Sequence, residues 1–203
     1  EIPSIYRFMS EKITMSDVTR SILEFWFGGL DEKAAEKRQP FWFKSTPETD
    51  AEIKSRFGAI HEAAKGGAFD GKAETADDYL AIVIALDQFP RNIYRGTLDA
   101  FAADPLALTW AKEAVSLAFD KQQPAPHRRM FLYLPFEHSE NLADQNESVR
   151  LFTEMGYDDY TEYAVAHRDV IETFGRFPHR NAALGRTSTK DEEDYLSRPG
   201  AGW

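Results

Sequence analysis

The feature of the sequence that most limits its fold is a helical spacing of apolar residues that recurs from one capping signal to the next. Val18, Ile22, Phe25 and Trp26 follow one another at intervals that place them on one face of a helix. A glycine at Gly28 ends this helix. No segment of useful length alternates apolar and polar residues, as a half-buried strand requires. The sequence therefore predicts an all-α fold.

Capping residues and prolines predict where the helices of the first half begin and end. Pro47 and Thr75 begin two helices, and Pro90 is predicted to close the second. Asp104 is predicted to cap a further helix that opens with Pro105. Helices of about ten to twenty residues joined by short loops favour antiparallel neighbours. We expect about eight helices, stacked as antiparallel hairpins.

The second half of the chain carries the same signals. A short helix is predicted over 127–134, and Pro135 is predicted to begin a long helix that ends at Gly156. Another helix follows it and stops at Gly175. Thr189 and Glu192 have the spacing of a capping box, which predicts a short final helix.

Length and composition indicate a single globular domain. A chain of 203 residues with 42% hydrophobic residues can bury a core of its own. Residues 1–15 show no clean periodicity, so we expect a loose arm there and one helical domain over residues 16–203. The longest apolar run, Leu80–Leu86, is far shorter than the roughly 20 residues of a membrane helix. No basic segment followed by an apolar one opens the chain, so we expect a cytoplasmic protein.

Charge and cysteine content exclude several classes of function. With 24 basic and 34 acidic residues, the net charge of −10 repels a phosphate backbone and argues against nucleic-acid binding. The chain contains no cysteine, which excludes thiol catalysis, disulfides and cysteine-ligated metals. From Arg91 to Arg186 there are nine arginines and only two lysines. Arginine is preferred where a partly desolvated cation must hold a carboxylate or phosphate by two hydrogen bonds.

Three segments share one layout, in which an apolar helix end is followed by a proline and then by charged side chains. They are DQFPRNIYRG at 87–96, LPFEHSENLADQ at 134–145 and FGRFPHRNAALGR at 174–186. A proline fixes the direction in which the chain leaves the helix, so the side chains that follow are held in place. Such preorganisation is what a binding site needs, and we expect the three segments to meet in space.

These segments supply the candidate site residues. The ligand-binding candidates are Asp87, Arg91, Asn92, Glu137, Glu140, Arg176, Arg180 and Asn181. The candidates for proton transfer are His138 and His179, because an imidazole beside carboxylates forms an acid/base pair. The five histidines of the chain show no recognisable ligand spacing, so we predict neither a metal nor a cofactor.

Two of these groups also have ordinary structural interpretations. If a helix begins at Pro135, Glu137 and Glu140 share one face in its first turns, where acidic residues commonly complement the helix dipole. Asp87 is predicted to lie on the last turn of an apolar helix, where a nearby arginine would compensate its charge. Both interpretations stay open at this point.

Four stretches of the sequence resemble one bacterial protein family. They are ILEFWFG, DQFPRNIYRGTLDAFAADPLAL, LPFEHSE and GRFPHRNAALGRTSTKDEEDYL. The family is known as domain of unknown function 924, and the resemblance spans about Val18 to Leu196. It implies an all-helical, tetratricopeptide-like fold. It implies no activity, because the family is uncharacterised, and no catalytic residue can be carried over from it.

Three functions are compatible with these patterns. The first is a polar pocket of arginine, histidine, asparagine and carboxylate groups that binds or acts on a small carboxylate- or phosphate-bearing molecule. The second is a helical-repeat interaction module that holds the carboxylate of a peptide. The third is a buried ion network that only locks the helical hairpins together. A small-molecule site predicts one enclosed pocket, whereas a peptide groove predicts exposed apolar pockets along a long face.

Overall fold

The structure is a computed structural model that describes residues 14–124 and 126–202. Within these two ranges all regular structure is helical and no strand occurs, which confirms the all-α fold. The loose arm predicted at residues 1–15 falls almost wholly on residues outside the described ranges.

Ten α-helical segments are present in the described part of the chain. They are α1 (Met15–Phe27), α2 (Glu32–Glu36), α3 (Pro47–Lys65), α4 (Ala76–Val83), α5 (Phe89–Ile93), α6 (Asp104–Ser116), α7 (His127–Glu137), α8 (Leu142–Met155), α9 (Asp158–Phe174) and α10 (Lys190–Leu196). A π-helical segment, Ile84–Gln88, joins α4 to α5 without a break, so the described residues form nine separate helices. Short 3₁₀ turns occur at Pro40–Trp42, Leu98–Ala100, Asp120–Gln122 and Pro178–Arg180.

The predicted helix ends that depend on local chemistry are confirmed. Gly28 and Gly175 end α1 and α9 with φ angles of 76° and 68°, a left-handed conformation that glycine adopts without a steric penalty. Thr75 begins α4, and Thr189 begins α10, each with a complete capping box. Each of these residues begins or ends its own helix through local contacts, so its role does not depend on a residue that is distant in sequence.

Helix α4 and the π-helical segment form the centre of the hydrophobic core. The apolar run Leu80–Leu86 is almost completely inaccessible to solvent, and α4 packs against α1, α6 and α7. Trp26 of α1 contacts Phe89 and Phe131 edge to face, with ring centroids 5.7 and 5.4 Å apart. The core therefore fixes the position of the π-helical segment, which carries Asp87.

Helices that follow one another in the second half of the chain pack side by side. Helix α7 contacts α6 and α8, and α8 contacts α9. This packing is compatible with stacked hairpins, while the tetratricopeptide-like arrangement stays a prediction. None of the helices in the described part of the chain is both long and apolar enough to cross a bilayer.

The prediction that Pro90 closes its helix is wrong. A proline inside an α-helix has no N–H to donate and its ring crowds the carbonyl four residues earlier. Here the chain widens into a π-turn in which the N–H of Phe89 donates to the carbonyl of Ile84, and Pro90 then lies in the first turn of α5. The helix continues past the proline, and Asp87 turns into the core instead of ending a helix at the surface.

The helix predicted to begin at Pro135 is also wrong. Helix α7 runs through Pro135 to Glu137. A short non-helical connection follows, and Asn141 then caps the start of α8. Gln145 stabilises this connection, because its amide Nε2 donates to the backbone carbonyls of Glu137 and Ser139 at 2.6 and 2.7 Å. As a result Glu137 ends one helix and Glu140 lies in the connecting loop, so they do not share a helix face.

Asp104 does not cap α6 with its side chain. It is the first residue of that helix, the preceding residue Ala103 is the N-cap, and no side-chain cap is formed. The carboxylate instead binds the guanidinium groups of Arg91 and Arg180. Two cations outcompete the backbone N–H groups for this carboxylate.

Candidate functional site

A carboxylate–imidazole pair lies where the π-helical segment meets the C-terminal end of α7. His138, the C-cap of α7, approaches Asp87 with its Nδ1 2.7 Å from Oδ1. The side-chain amide of Gln88 donates to the other carboxylate oxygen at 2.6 Å. The side chain of Asp87 is 1% exposed, and that of His138 is 16% exposed. The histidine is therefore the member of the pair that solvent can reach.

The surroundings of this pair keep the carboxylate ionised and the imidazole neutral. Burial favours the neutral acid, but the charge of Arg91 and the hydrogen bonds from His138 and Gln88 outweigh it, so the pKa of Asp87 is below its ordinary value. Burial and the charge of Arg91 lower the pKa of His138. At neutral pH the Nδ1–H of His138 then donates to Asp87, which leaves the lone pair on Nε2. This arrangement is that of an oriented general base.

Asp104 joins the first and third candidate segments. Its carboxylate accepts two parallel bonds from Arg91, from Nη1 at 2.9 Å and from Nη2 at 3.0 Å. Its Oδ2 also accepts a bond from Nη1 of Arg180 at 3.3 Å. Arg91 lies 3.4 Å from Oδ1 of Asp87 as well. We call the connected residues Asp87, Arg91, Asp104, His138 and Arg180 the Arg180 cluster.

Arg180 is the least well paired cation of the cluster. Its side chain is 7% exposed, and within the described residues its guanidinium makes one hydrogen bond, the long one to Asp104. Its Nε is buried and has no acceptor. The guanidinium carbon lies over the rings of Phe101 and Phe177, at 4.7 and 4.6 Å from their centroids. Burial and the charge of Arg91 lower the pKa of Arg180 to about 10, so it remains a cation at neutral pH.

Two further histidines and a buried acid lie beside the cluster. Burial lowers the pKa of His179 to about 4 and that of His167, on α9, to about 3. Glu137 lies 3.3 Å from Nδ1 of His167, and that nitrogen also bonds the carbonyl of Tyr163 at 2.8 Å. Burial and the nearby charge of Asp87 raise the pKa of Glu137 to about 8. At neutral pH these three side chains are therefore mainly uncharged.

Glu140 connects the second segment to the third. Its carboxylate accepts two bonds from Arg186, at 2.8 and 3.0 Å, and a third at 2.8 Å from the backbone N–H of Phe177. Burial would raise the pKa of Glu140, but these hydrogen bonds hold it below its ordinary value. This carboxylate fixes the turn that carries Arg180.

Arg176 and Asn181 belong to a separate network on the side of α10. Arg176 binds Glu192 through Nε at 2.6 Å and Nη2 at 2.8 Å. Asn181 donates to Ser188 at 3.0 Å and to Glu192 at 3.2 Å, and accepts from Arg186 at 2.9 Å. These contacts hold α10 against the third segment, and neither residue bonds a member of the Arg180 cluster.

Asn92 forms its hydrogen bond with Asp50 of α3 and not with another candidate site residue. Its amide donates to Asp50 of α3 at 2.8 Å, and the same carboxylate binds Arg95. The structure thus brings Asp87, Arg91, His138 and Arg180 together around Asp104. The remaining candidates lie beside that cluster or form their own contacts.

The predicted set of site residues did not include four residues of this region, which are Phe101, Asp104, His167 and Arg186. Asp104 and Phe101 were visible in the stretch DAFAADP, but the Asp-Pro pair was interpreted as a helix cap. His167 lies in the middle of an amphipathic helix, where no local signal separates a site residue from a core residue. Arg186 belongs to the third segment, whose cationic side chains have no acidic neighbour in sequence from Phe174 to Lys190.

Two cavities on the surface of the protein lie away from the Arg180 cluster. No group of three or more potential ligands in residues 14–124 and 126–202 is arranged to hold a metal ion. A cavity of about 690 Å³ lies between α9 and α10 and is lined partly by Arg176 and Glu192. A second cavity, of about 390 Å³, lies beside it and is lined partly by Phe174 and Tyr195. Neither cavity is lined by a residue of the Arg180 cluster.

Comparison with known proteins places the chain in a family. The family model described as "Bacterial protein of unknown function (DUF924)" matches residues 22–200. A solved structure of a protein of unknown function from Agrobacterium tumefaciens is 38% identical and superposes with a TM-score of 0.80. That match covers 90% of this chain and 98% of the other. A search of curated proteins finds no match. The family match spans nearly the whole chain, which therefore belongs to the DUF924 family of bacterial proteins of unknown function.

Proposed function

We propose that this protein binds a small molecule bearing a carboxylate or phosphate at the Arg180 cluster. The observation that carries the proposal is the state of Arg180, a buried cation whose guanidinium has one long hydrogen bond and an Nε without an acceptor. A buried charge with unused donors costs stability, and an anion that supplies two acceptors would offset that cost. The other arginines near the site already have close carboxylate partners.

The chemistry of the cluster suits proton transfer to or from such a ligand. His138 is the stronger candidate, because Asp87 fixes its ring and leaves Nε2 as the acceptor of a proton. Burial lowers the pKa of His179 to about 4, so this side chain is a weak base at neutral pH. We therefore assign the proton-transfer role to His138. A small anionic metabolite also agrees with the cytoplasmic location that the sequence predicts.

A purely structural ion network is the second candidate function. Its support is that Arg91, Arg176 and Arg186 each hold a carboxylate of the fold by two hydrogen bonds. In that case Arg180 only completes the network through Asp104. The two candidates differ in one property, which is whether an added anion stabilises the protein through Arg180.

Thermal melts of the wild type and of Arg180→Lys, with and without added carboxylates and phosphates, test the proposal. Lysine keeps the charge but loses the planar fork, so the stabilisation by an anion should disappear. A ligand at 100 times its Kd stabilises the folded state by about 2.7 kcal/mol, or about 5 to 10 °C for a chain of this size. A control melt with sodium chloride at the same ionic strength corrects for the general screening of surface charges by the added salt.

Arg176→Lys is the matched control, because the same substitution is made in the same segment at a residue that pairs with Glu192. We expect it to retain the full response to anions. If no anion stabilises the wild type and Arg180→Lys melts far below it, the ligand role is rejected and the structural network is favoured.

A further inference from the structure

We infer that the ligand group at Arg180 is a carboxylate with a single negative charge rather than a phosphate. The inference rests on the proposed function, because it specifies which anion the cluster accepts. It follows from three properties of the site: the covering of the guanidinium by aromatic rings, the edge of the guanidinium that remains unused, and the balance of charge.

Aromatic rings restrict the approach to Arg180. The guanidinium carbon lies within 5 Å of the ring centroids of both Phe101 and Phe177, so two aromatic rings pack against the cation. Only 7% of the side chain is exposed, so solvent reaches little of the cation. A carboxylate is planar and fits into the plane of a guanidinium, whereas a tetrahedral phosphate carries oxygens on both sides of that plane.

The unused edge of Arg180 matches the two oxygens of a carboxylate. Its Nη1 donates to Asp104 and its Nε is buried without an acceptor, so Nε and the neighbouring Nη2 form the edge that remains for a ligand. These two nitrogens form the side-on fork of the guanidinium. A carboxylate in this position would make two parallel bonds, as Asp104 does with Arg91 on the other side of the cluster.

The charge of the surrounding groups favours a monoanion. The carboxylates of Asp87 and Asp104 balance the guanidinium charges of Arg91 and Arg180, while His138 is neutral. The adjacent pair of Glu140 and Arg186 also has no net charge. One added negative charge can be shared by the two guanidinium groups, whereas a phosphate dianion would bring a second charge close to two buried carboxylates.

A titration of the wild-type protein at pH 7 and constant ionic strength separates shape from charge. Four probes are compared: acetate, which is planar with one charge; dimethyl phosphate, which is tetrahedral with one charge; inorganic phosphate; and acetamide, which has the shape of acetate without its charge. Backbone amide NMR signals of Phe101 and Phe177 report binding at this site, so the test does not depend on a variant that folds.

We expect acetate to shift both signals and to bind at least about tenfold more tightly than either phosphate or acetamide. Arg180→Lys should abolish the acetate response, and Arg176→Lys should keep it. If dimethyl phosphate or inorganic phosphate binds as well as acetate or better, the carboxylate assignment is overturned while the anion site stands. If none of the anions shifts these signals, the anion site and the carboxylate assignment both fail.

Discussion

Asp104 and Arg180 lie 76 positions apart in the sequence and meet at 3.3 Å, between Oδ2 and Nη1. Because the same oxygen accepts a bond from Arg91 at 3.0 Å, one carboxylate ties the start of α6 to both α5 and the turn after α9. The geometry of the Arg180 cluster therefore depends on Asp104, a residue that the sequence patterns predicted as a helix cap and not as part of the site.

Asp104→Asn should destabilise the protein by about 3 kcal/mol, because it removes the carboxylate bonded to the buried Arg180 and leaves Arg91 with Asp87 alone. Urea denaturation at pH 7 measures this change. Asp99→Asn removes an exposed carboxylate five residues earlier and should change the free energy of unfolding by less than about 0.5 kcal/mol. Equal effects of the two substitutions would show that Asp104 does not hold the cluster.

Glu137 should make stability fall as the pH rises. Its pKa is about 8 in the folded protein and about 4.5 in the unfolded chain, so between these values the folded state keeps a proton that the unfolded state has lost. Glu137→Gln should remove this slope and should exceed the wild type in stability at pH 9, by roughly 3 to 5 kcal/mol at most.

Denaturant midpoints from pH 4 to 9 measure the effect of Glu137, and Glu172→Gln, at an exposed position of α9, serves as the control. If the wild type and Glu137→Gln show parallel pH profiles, the carboxyl group of Glu137 is ionised in the folded protein.

His167 should make the protein sensitive to acid. Its folded pKa of about 3 lies below the ordinary value of 6.5, so the unfolded chain gains a proton first as the pH falls. The stability that this group contributes is present above about pH 6.5 and is lost towards pH 3, with a slope of up to about 1.4 kcal/mol per pH unit.

His167→Gln should reduce that acid slope while it preserves a donor for the carbonyl of Tyr163. The residual slope should come from other groups such as His179, whose folded pKa is also low. Acid denaturation followed by circular dichroism checks this, and an unchanged profile for the variant would contradict a neutral His167.

Arg176→Ala should loosen α10 without affecting the Arg180 cluster. The substitution removes both hydrogen bonds to Glu192, whose side chain also completes the capping box of α10. Hydrogen exchange should accelerate at the amides of α10, while the amides of α5 and α7 keep their protection. Equal acceleration in all three helices would place Arg176 in the same cooperative network as Arg180.

The accuracy of the sequence predictions depended on whether a residue's partner is local. The predictions for Thr75, Thr189 and Gly175 are confirmed because their roles are local. Each threonine accepts a hydrogen bond from a backbone N–H of its own helix, and Gly175 ends its own helix. Pro90 and Asp104 were interpreted as the end and the start of helices, but a π-turn lets the helix continue past Pro90, and two distant arginines bind Asp104. The contacts of Asp104 depend on the tertiary structure, which the periodicity of a single sequence does not contain.

For the candidate site, the sequence predicted which charged side chains meet but not which of them form a separate network. The common layout of three proline-containing segments predicted that charged side chains would come together, and Asp87, Arg91, His138 and Arg180 do meet around Asp104. The layout did not separate these residues from Arg176 and Asn181, because the partners in α10 lie outside the three segments.

A crystal structure of the protein grown with sodium acetate tests the central claim most directly. The account predicts an acetate in the plane of the Arg180 guanidinium, with one oxygen at hydrogen-bond distance from Nε and the other from Nη2, about 2.7 to 2.9 Å away. It also predicts that Asp104 keeps its contact with Nη1. Density that shows protein atoms on the Nε–Nη2 edge and no acetate there would contradict the claim, and would leave Arg180 as part of a structural ion network.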